Sequence, residues 1–517
     1  MDQSEREPLS QRTPEPTTSR RHRGLTIALL FAGFFAYSAI RTPVPAVNEP
    51  HYLTKAKHFW NPAWCRGDLF LESSNPHWVF YATVGSLTQW LTLEQTAWIG
   101  RIAGLLLLAI GMESLLSGVL NGMRQVWAAA SLYLGMAALG NLAGEWIIGG
   151  IEGKVFAYGF AFWGAGLAIR GRFLPAAAFL GLSASFHPVV GIWCTCATIA
   201  GVLVPCLLRS PDVPRPSAIQ LMVAVLLFGM CALPGLYPAF YMLGGTPADV
   251  AAEADRIQVF SRLRHHLDPA VFPIRGYICY AAMLAVWLVF RRRAMSSYAG
   301  EFFHWYLMGS AAIAAGGLVA RFVLHSAALL KFYPFRLFDV LLPLAVSVLA
   351  VRLFAHWSSQ RPAAQRLGIA VCVAAAAYAL LVHPVDRNPT RFKPPVLTDW
   401  LDSCRWIAQN APADATVLTP SYSWGFKWYA GRAEYVNYKD CPQDAANLLE
   451  WRRRYQLLRG WEKTRRAGTM SQAEIARFPD RELVDFVIAR TNEDTDLPVA
   501  YRGRFFSVYD VRGKRSL

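Results

Sequence analysis

The chain has no Cys-x-x-Cys pair and no Gly-x-x-x-x-Gly-Lys-Ser/Thr loop. The first absence argues against a zinc site built on paired cysteines, and the second against a nucleotide-driven pump. No convincing internal repeat is present, and charge is sparse, with Asp, Glu, Lys and Arg making up 17% of 517 residues. What is abundant is apolar surface. Hydrophobic residues reach 54% and aromatics 13%, and the mean hydropathy is +0.25, more than a soluble chain usually carries. The expected fold class is an α-helical polytopic membrane protein with a small C-terminal α/β domain.

Crossing a bilayer takes roughly 20 apolar residues. Such runs recur from Leu25 to Val382, and the stretch from His383 to Leu517 loses that character. The chain therefore divides into a basic leader (1–24), a bundle (25–383) with a long first outer loop (42–95), and a tail (384–517). The leader ends in Arg20-Arg21-His22-Arg23 directly before Leu25, which reads as a cytoplasmic segment followed by an anchoring span. A cleaved signal peptide is the alternative; the length of the segment and the lack of a small-residue cleavage site before Glu49 argue against it.

About eleven spans are expected, near 25–41, 96–120, 126–143, 155–169, 173–186, 188–207, 217–236, 275–290, 302–320, 336–354 and 367–383. Trp78 to Leu91 is read as interfacial. The inward turns then hold Arg124, Arg170 with Arg172, Arg209 with Arg215, Arg291-Arg292-Arg293, and Arg352 with Arg361 and Arg366, as the positive-inside rule requires. The N-terminus falls inside a cytoplasmic (inner) membrane and the tail outside it. Much of the net charge of +16 sits in these turns and the tail, so lipid phosphates, not nucleic acid, are the expected partner.

Three outer segments carry positive charge that this rule does not explain. They contain Arg256, Arg262, Arg264, His265 and His266; Lys331 and Arg336; and Lys154, which follows Glu152-Gly153. Arg and Lys at a membrane surface bind phosphate through charge-assisted hydrogen bonds. They can equally pair with Glu152, Asp249, Glu253, Asp255, Asp268 and Asp339, or touch lipid head groups. Glu113 and Glu145 lie in or at the end of apolar runs, where ionisable groups are rare, and His187-Pro188 interrupts another. That histidine either faces a cavity or simply ends a helix.

The residues Asn48-Glu49-Pro50-His51-Tyr52, Trp64-Cys65-Arg66-Gly67-Asp68, Glu152-Gly153-Lys154, His187-Pro188 and Gly425-Phe426-Lys427 sit in an arrangement that resembles the GT-C superfamily of integral-membrane glycosyltransferases. That superfamily includes the protein O-mannosyltransferases and the aminoarabinose transferase of lipid A. The resemblance implies inverting transfer of a sugar from a polyprenyl-phosphate donor to an acceptor at the outer face. It implies an acid soon after the first span, acting on the acceptor or helping to hold a divalent metal. Glu49 occupies that place, and Asp68 would be the second acid. The family usually shows an acidic pair or an Asp followed by Gly-Tyr, whereas Glu49 stands alone before Pro50-His51-Tyr52. Helix capping is the competing role for Glu49, and a turn the competing role for Asp68. Lys154, Arg256, Arg262, Arg264, His265, His266, Lys331 and Arg336 are candidates for the donor phosphate; His51, Tyr52, Glu152 and His187 are further cavity candidates.

In the tail, 397–409 has helical spacing with Trp400, Leu401, Cys404 and Ile407 on one side, and a second helix is expected near 443–459. Strands fit 416–419, 484–488 and 505–509. The aromatics Tyr422, Trp424, Phe426, Trp428 and Tyr429 fit core or sugar stacking. Nine cysteines give little, although a Cys404–Cys441 disulfide is permitted outside the cytoplasm. A transporter or flippase for a lipid-linked or polar solute, or a membrane scaffold, remains as an alternative function.

Overall fold

A computed structural model describes residues 20–208, 213–295, 297–464, 470–491 and 495–512. Most of the leader, and Arg209 of the inward turns, lie outside these residues. Helices occupy the eleven expected segments. Among the described residues, eight helices are long and apolar enough to cross a membrane, and Gly153–Ile169 and Phe173–Phe186 are shorter apolar helices. The protein is a multi-pass helical membrane protein with a small C-terminal sheet. The segment read as interfacial forms a short helix, Trp78–Ala82, and a 3₁₀ turn, Val84–Gln89, each far too short to span.

Local chemistry sets the helix ends. The Leu93–Leu116 helix begins where Thr92 and Gln95 form a reciprocal capping box, and Ala218–Leu243 begins at the equivalent box of Ser217 and Gln220; each box satisfies two otherwise orphaned N–H groups. His187 separates Phe173–Phe186 from Pro188–Leu207 as a single residue. A Cβ on Gly191 would collide with the Ala184 backbone, so the two helices pack closely across the turn that has His187 at its apex. Leu93–Leu116 and Gly153–Ile169 pack most closely where Gly111 meets Gly159. Without side chains there, the backbones approach closely, which is how membrane helices associate when no hydrophobic drive separates them from lipid.

The basic turns gather at one end of the bundle. Arg23 pairs with Glu113 at 2.9 Å, Arg170 donates to the Ser114 carbonyl at 2.8 Å, and Arg352 donates to the carbonyls of Val119 and Ala294. The opposite end carries the first loop, the loops 140–152, 244–273 and 323–335, and the tail.

The tail holds a five-stranded sheet of order β2-β1-β3-β5-β4: β1 Thr416–Leu418, β2 Ala433–Glu434, β3 Phe486–Arg490, β4 Val499–Arg502 and β5 Phe506–Asp510. β1 runs parallel to β2 and β3, and β3–β5–β4 is antiparallel. Alternation along β3 sends Phe486 and Ile488 to one face, beneath Trp400 and Cys404 of the Val396–Asn410 helix. Val487 and Ala489 go to the other face, with Leu448 and Trp451 of the Ala445–Thr464 helix. That second core also takes in Ala254 and Ile257 from the 244–273 loop, which docks the tail onto the bundle. Phe426 lies in the tail core and Trp428 packs against the bundle, so these aromatics serve packing. All nine cysteines are free, Cys404 and Cys441 among them.

Candidate functional site

Between the loop-bearing end of the bundle and the tail lies a cavity of about 300 Å³. Its floor is polar. Lys154, at the start of its span, reaches Glu145 at 3.5 Å and Glu152 at 3.8 Å, and sits over the Trp146 ring. Arg336 lies 3.2 Å from Glu145 and stacks 3.6 Å above the Tyr333 ring. Asn48 donates to Glu152 at 2.6 Å. The loop presenting Glu145 is pinned by Asp339, whose carboxylate accepts from the backbone N–H of Leu142, Ala143 and Glu145. Glu145 nonetheless keeps one oxygen, Oε1, buried without a partner. A buried polar atom of this kind is costly and marks where a bound polar group would be stabilised.

The upper wall comes from the loops and the tail. Arg262 ends a short π-helical turn, Gln258–Arg262, a feature frequent at functional sites. Lys331 pairs with Asp255 at 2.8 Å. His266 bonds the Ala143 carbonyl at 2.6 Å; burial, with His265 next to it, holds its pKa well below the usual imidazole value. His51 bonds Asp440 at 3.1 Å, and burial outweighs that partner and lowers its pKa to about 4. Lys439, from the tail, has its pKa brought down to about 8 by burial and by the Arg262 guanidinium. An apolar side formed by Ala239, Met242 and Leu243, at the end of the Ala218–Leu243 helix, completes the wall. Five cations face three carboxylates here, Lys154, Arg262, Lys331, Arg336 and Lys439 against Glu145, Glu152 and Asp255. The cavity therefore suits an anion.

Of the residues expected from sequence, Lys154, Arg262, His266, Lys331, Arg336, His51, Tyr52, Glu152 and His187 share this cavity. Arg256, Arg264 and His265 are exposed and do not line it. Glu49 is displaced from the place expected of it. Its carboxylate is wholly buried and its oxygens accept from Arg101 Nε, Arg101 Nη2 and the backbone N–H of Ala46 and Ile151. No oxygen is left for an acceptor hydroxyl, and Glu49 is not on the cavity wall.

Asp68 is likewise sealed elsewhere. It caps the short helix Leu69–Glu72 through the Leu71 N–H, accepts from the Glu434 N–H, and pairs with Lys427 at 3.3 Å. Lys427 also holds Glu434 at 3.3 Å and Asp440 at 2.6 Å. Burial alone would lower the Lys427 pKa, but Asp440, Asp68 and Glu434 together hold it well above the usual amine value. Glu49 and Asp68 thus belong to separate sites, and among the described residues no three His, Cys, Asp or Glu side chains converge as a metal-ligand set.

Asn48, His77, Glu145 and Lys439 line the cavity without having been expected there as site residues. For Glu145 the signal was available, a carboxylate at the end of an apolar run with no cation nearby in sequence. Lys439 sits in an ordinary polar loop and carries none.

Residues 398–458 match the model of a domain of unknown function (DUF6798). No curated protein matches the chain. Among solved structures, it is similar to the crystal structure of ArnT from Cupriavidus metallidurans bound to undecaprenyl phosphate, at 12% identity over 94% of this chain and 97% of that one, with a TM-score of 0.49. It is also similar to the archaeal oligosaccharyltransferase AglB from Archaeoglobus fulgidus in complex with an inhibitory peptide and a dolichol-phosphate, at 11% identity over 91% of this chain and 70% of that one, with a TM-score of 0.44.

Proposed function

We propose that this protein is a membrane glycosyltransferase of the GT-C kind, moving a sugar from a polyprenyl-phosphate donor to an acceptor at the outer face of the cytoplasmic membrane. The observation that carries this reading is the cavity: a cation-rich chamber at the end of the bundle away from the basic turns, with an apolar side on a spanning helix. A lipid-linked phosphate presents its anion and its chain in that relation.

The role of general base passes from Glu49 to Glu152. Glu152 is buried, faces the cavity and is oriented by Asn48. It takes the proton of the acceptor hydroxyl as that oxygen bonds to the anomeric carbon. The bond from that carbon to the phosphate oxygen breaks, and the phosphate leaves with the electron pair. Cations fixed around the leaving group stabilise the charge that develops on it. Glu145, held between Lys154 and Arg336, keeps those two cations in place and offers Oε1 to a sugar hydroxyl. Attack opposite the leaving group inverts the anomeric centre.

The test is transfer of labelled sugar from a polyprenyl-phosphate donor pool by membranes holding the wild type or Glu152→Gln at equal expression. Transfer by the wild type and its loss in the variant are expected. No transfer by either, across the donor pool, overturns the reading in favour of transport or scaffolding.

A further inference from the structure

We infer that Arg262 and Lys439 form the phosphate-binding pair of the cavity, so that the tail supplies half of the donor's anion site. This rests on the glycosyltransferase reading and assigns the subsite that holds the leaving group.

The other three cations on the wall already have carboxylate partners: Lys154 and Arg336 share Glu145, Lys154 also reaches Glu152, and Lys331 holds Asp255. Among the described residues, Arg262 and Lys439 have no carboxylate within 4.0 Å. The Arg262 side chain is buried and its Nε has no acceptor, although Nη2 donates to the Lys439 carbonyl at 3.0 Å and the guanidinium lies 4.4 Å over the Tyr438 ring.

Two turns hold the pair rigidly. Arg262 ends the π-helical turn, and the Tyr438 hydroxyl donates back to its carbonyl at 3.1 Å. The Asn437 side-chain oxygen accepts from the N–H groups of both Lys439 and Asp440 at 2.8 Å, and Trp451 donates to the Asn437 carbonyl. Two positive groups from two segments, neither with a carboxylate within 4.0 Å among the described residues, thus line the same cavity, with the Lys439 backbone held against the Arg262 guanidinium. A guanidinium Nε–H buried without an acceptor is destabilising, and a phosphate monoester bridging it to the Lys439 ammonium supplies the missing acceptor by a charge-assisted bond. Among the described residues the Lys439 ammonium has no ion-pair partner within 4.0 Å, which leaves it available to a ligand.

The experiment uses the full chain in detergent and measures binding of farnesyl phosphate, inorganic phosphate and farnesol. The variants are Lys439→Gln, Lys439→Arg and the exposed, off-cavity Arg256→Gln. Loss of one charge-assisted contact corresponds to about tenfold to a hundredfold in affinity. Farnesyl phosphate should bind the wild type and Arg256→Gln alike, bind Lys439→Gln about tenfold or more weakly, and regain affinity in Lys439→Arg. Farnesol should bind weakly to all. Equal binding of farnesyl phosphate by the wild type and Lys439→Gln overturns the assignment of the pair while leaving the cavity's function standing. A wild type that binds inorganic phosphate as tightly as farnesyl phosphate, or binds neither, overturns the lipid-linked donor itself.

Discussion

The Glu49 carboxylate lies against the Arg101 guanidinium, 2.7 Å from Nε and 2.9 Å from Nη2, with neither group exposed to solvent. Arg101 also donates to the carbonyls of Thr42 and Pro43, so the pair ties the end of the first span to the Leu93–Leu116 helix. Breaking a buried pair from one side leaves an uncompensated charge and costs about 3–5 kcal/mol. Glu49→Gln should therefore lower the melting temperature in detergent and the yield of folded protein, while transfer per folded molecule stays near wild type. An unchanged melting temperature with transfer abolished would return Glu49 to the chemistry.

Glu152→Gln should do the reverse. A positioned general base contributes about 10²–10⁴-fold, so transfer should fall by that order, while the melting temperature falls less than in Glu49→Gln because Lys154 keeps Glu145 as a partner. Asn48→Ala, which removes the donor that orients Glu152, should give a smaller loss. Full activity in Glu152→Gln assigns the base elsewhere.

Donor capture should weaken on the alkaline side. Burial, with the Arg262 guanidinium and Lys154 beside it, brings the Lys439 pKa down to about 8 against the opposing pull of Glu152 and Asp440. A donor phosphate binds the charged amine, so kcat/KM for the donor should fall as pH rises through about 8, approaching tenfold per pH unit. Lys439→Arg, whose guanidinium stays charged throughout, should flatten that limb.

Acid should destabilise the fold through His77. Burial lowers its pKa from 6.5 to about 3, so between those values the unfolded chain binds a proton that the folded chain refuses. Stability is then lost as pH falls below 6.5. The drop in melting temperature between pH 6.5 and 4 should be smaller in His77→Gln than in the wild type, and equal slopes would rule the histidine out as a cause.

At Gly111 a side chain would drive into the Gly159 carbonyl. Gly111→Val should separate the two helices and reduce the yield of folded protein far more than the same change at Gly316, where nothing lies within 4 Å. Size-exclusion profiles of the two variants provide the comparison.

The spans were legible because a bilayer crossing imposes a length and a composition that single residues cannot disguise. In the tail, the expected segments near 416–419, 484–488 and 505–509 contain strands, since alternating β-branched and aromatic residues mark a sheet buried on both faces. β2 and β4 were missed, being two and four residues long. The site was only partly legible. Loop cations that break the positive-inside pattern announce themselves, and Lys154, Arg262, Lys331 and Arg336 share one cavity. Position after a span drew attention to Glu49, but its partner Arg101 is 52 residues away, and nothing local in the sequence reveals that pairing. Asp68 meets Lys427 and the Glu434 N–H across most of the chain length, and no periodicity encodes such an encounter.

That last encounter bears on how the protein is handled. Lys427, Glu434 and Asp440 belong to the tail and Asp68 to the first loop, and all four are buried at their seam. A bundle cut free of its tail near residue 384 would keep Asp68 with its countercharge removed, and an isolated tail would carry Lys427 to a newly wetted face. Truncation is therefore a poor way to isolate either half, and a tail grafted from another chain would have to bring a lysine to this same carboxylate.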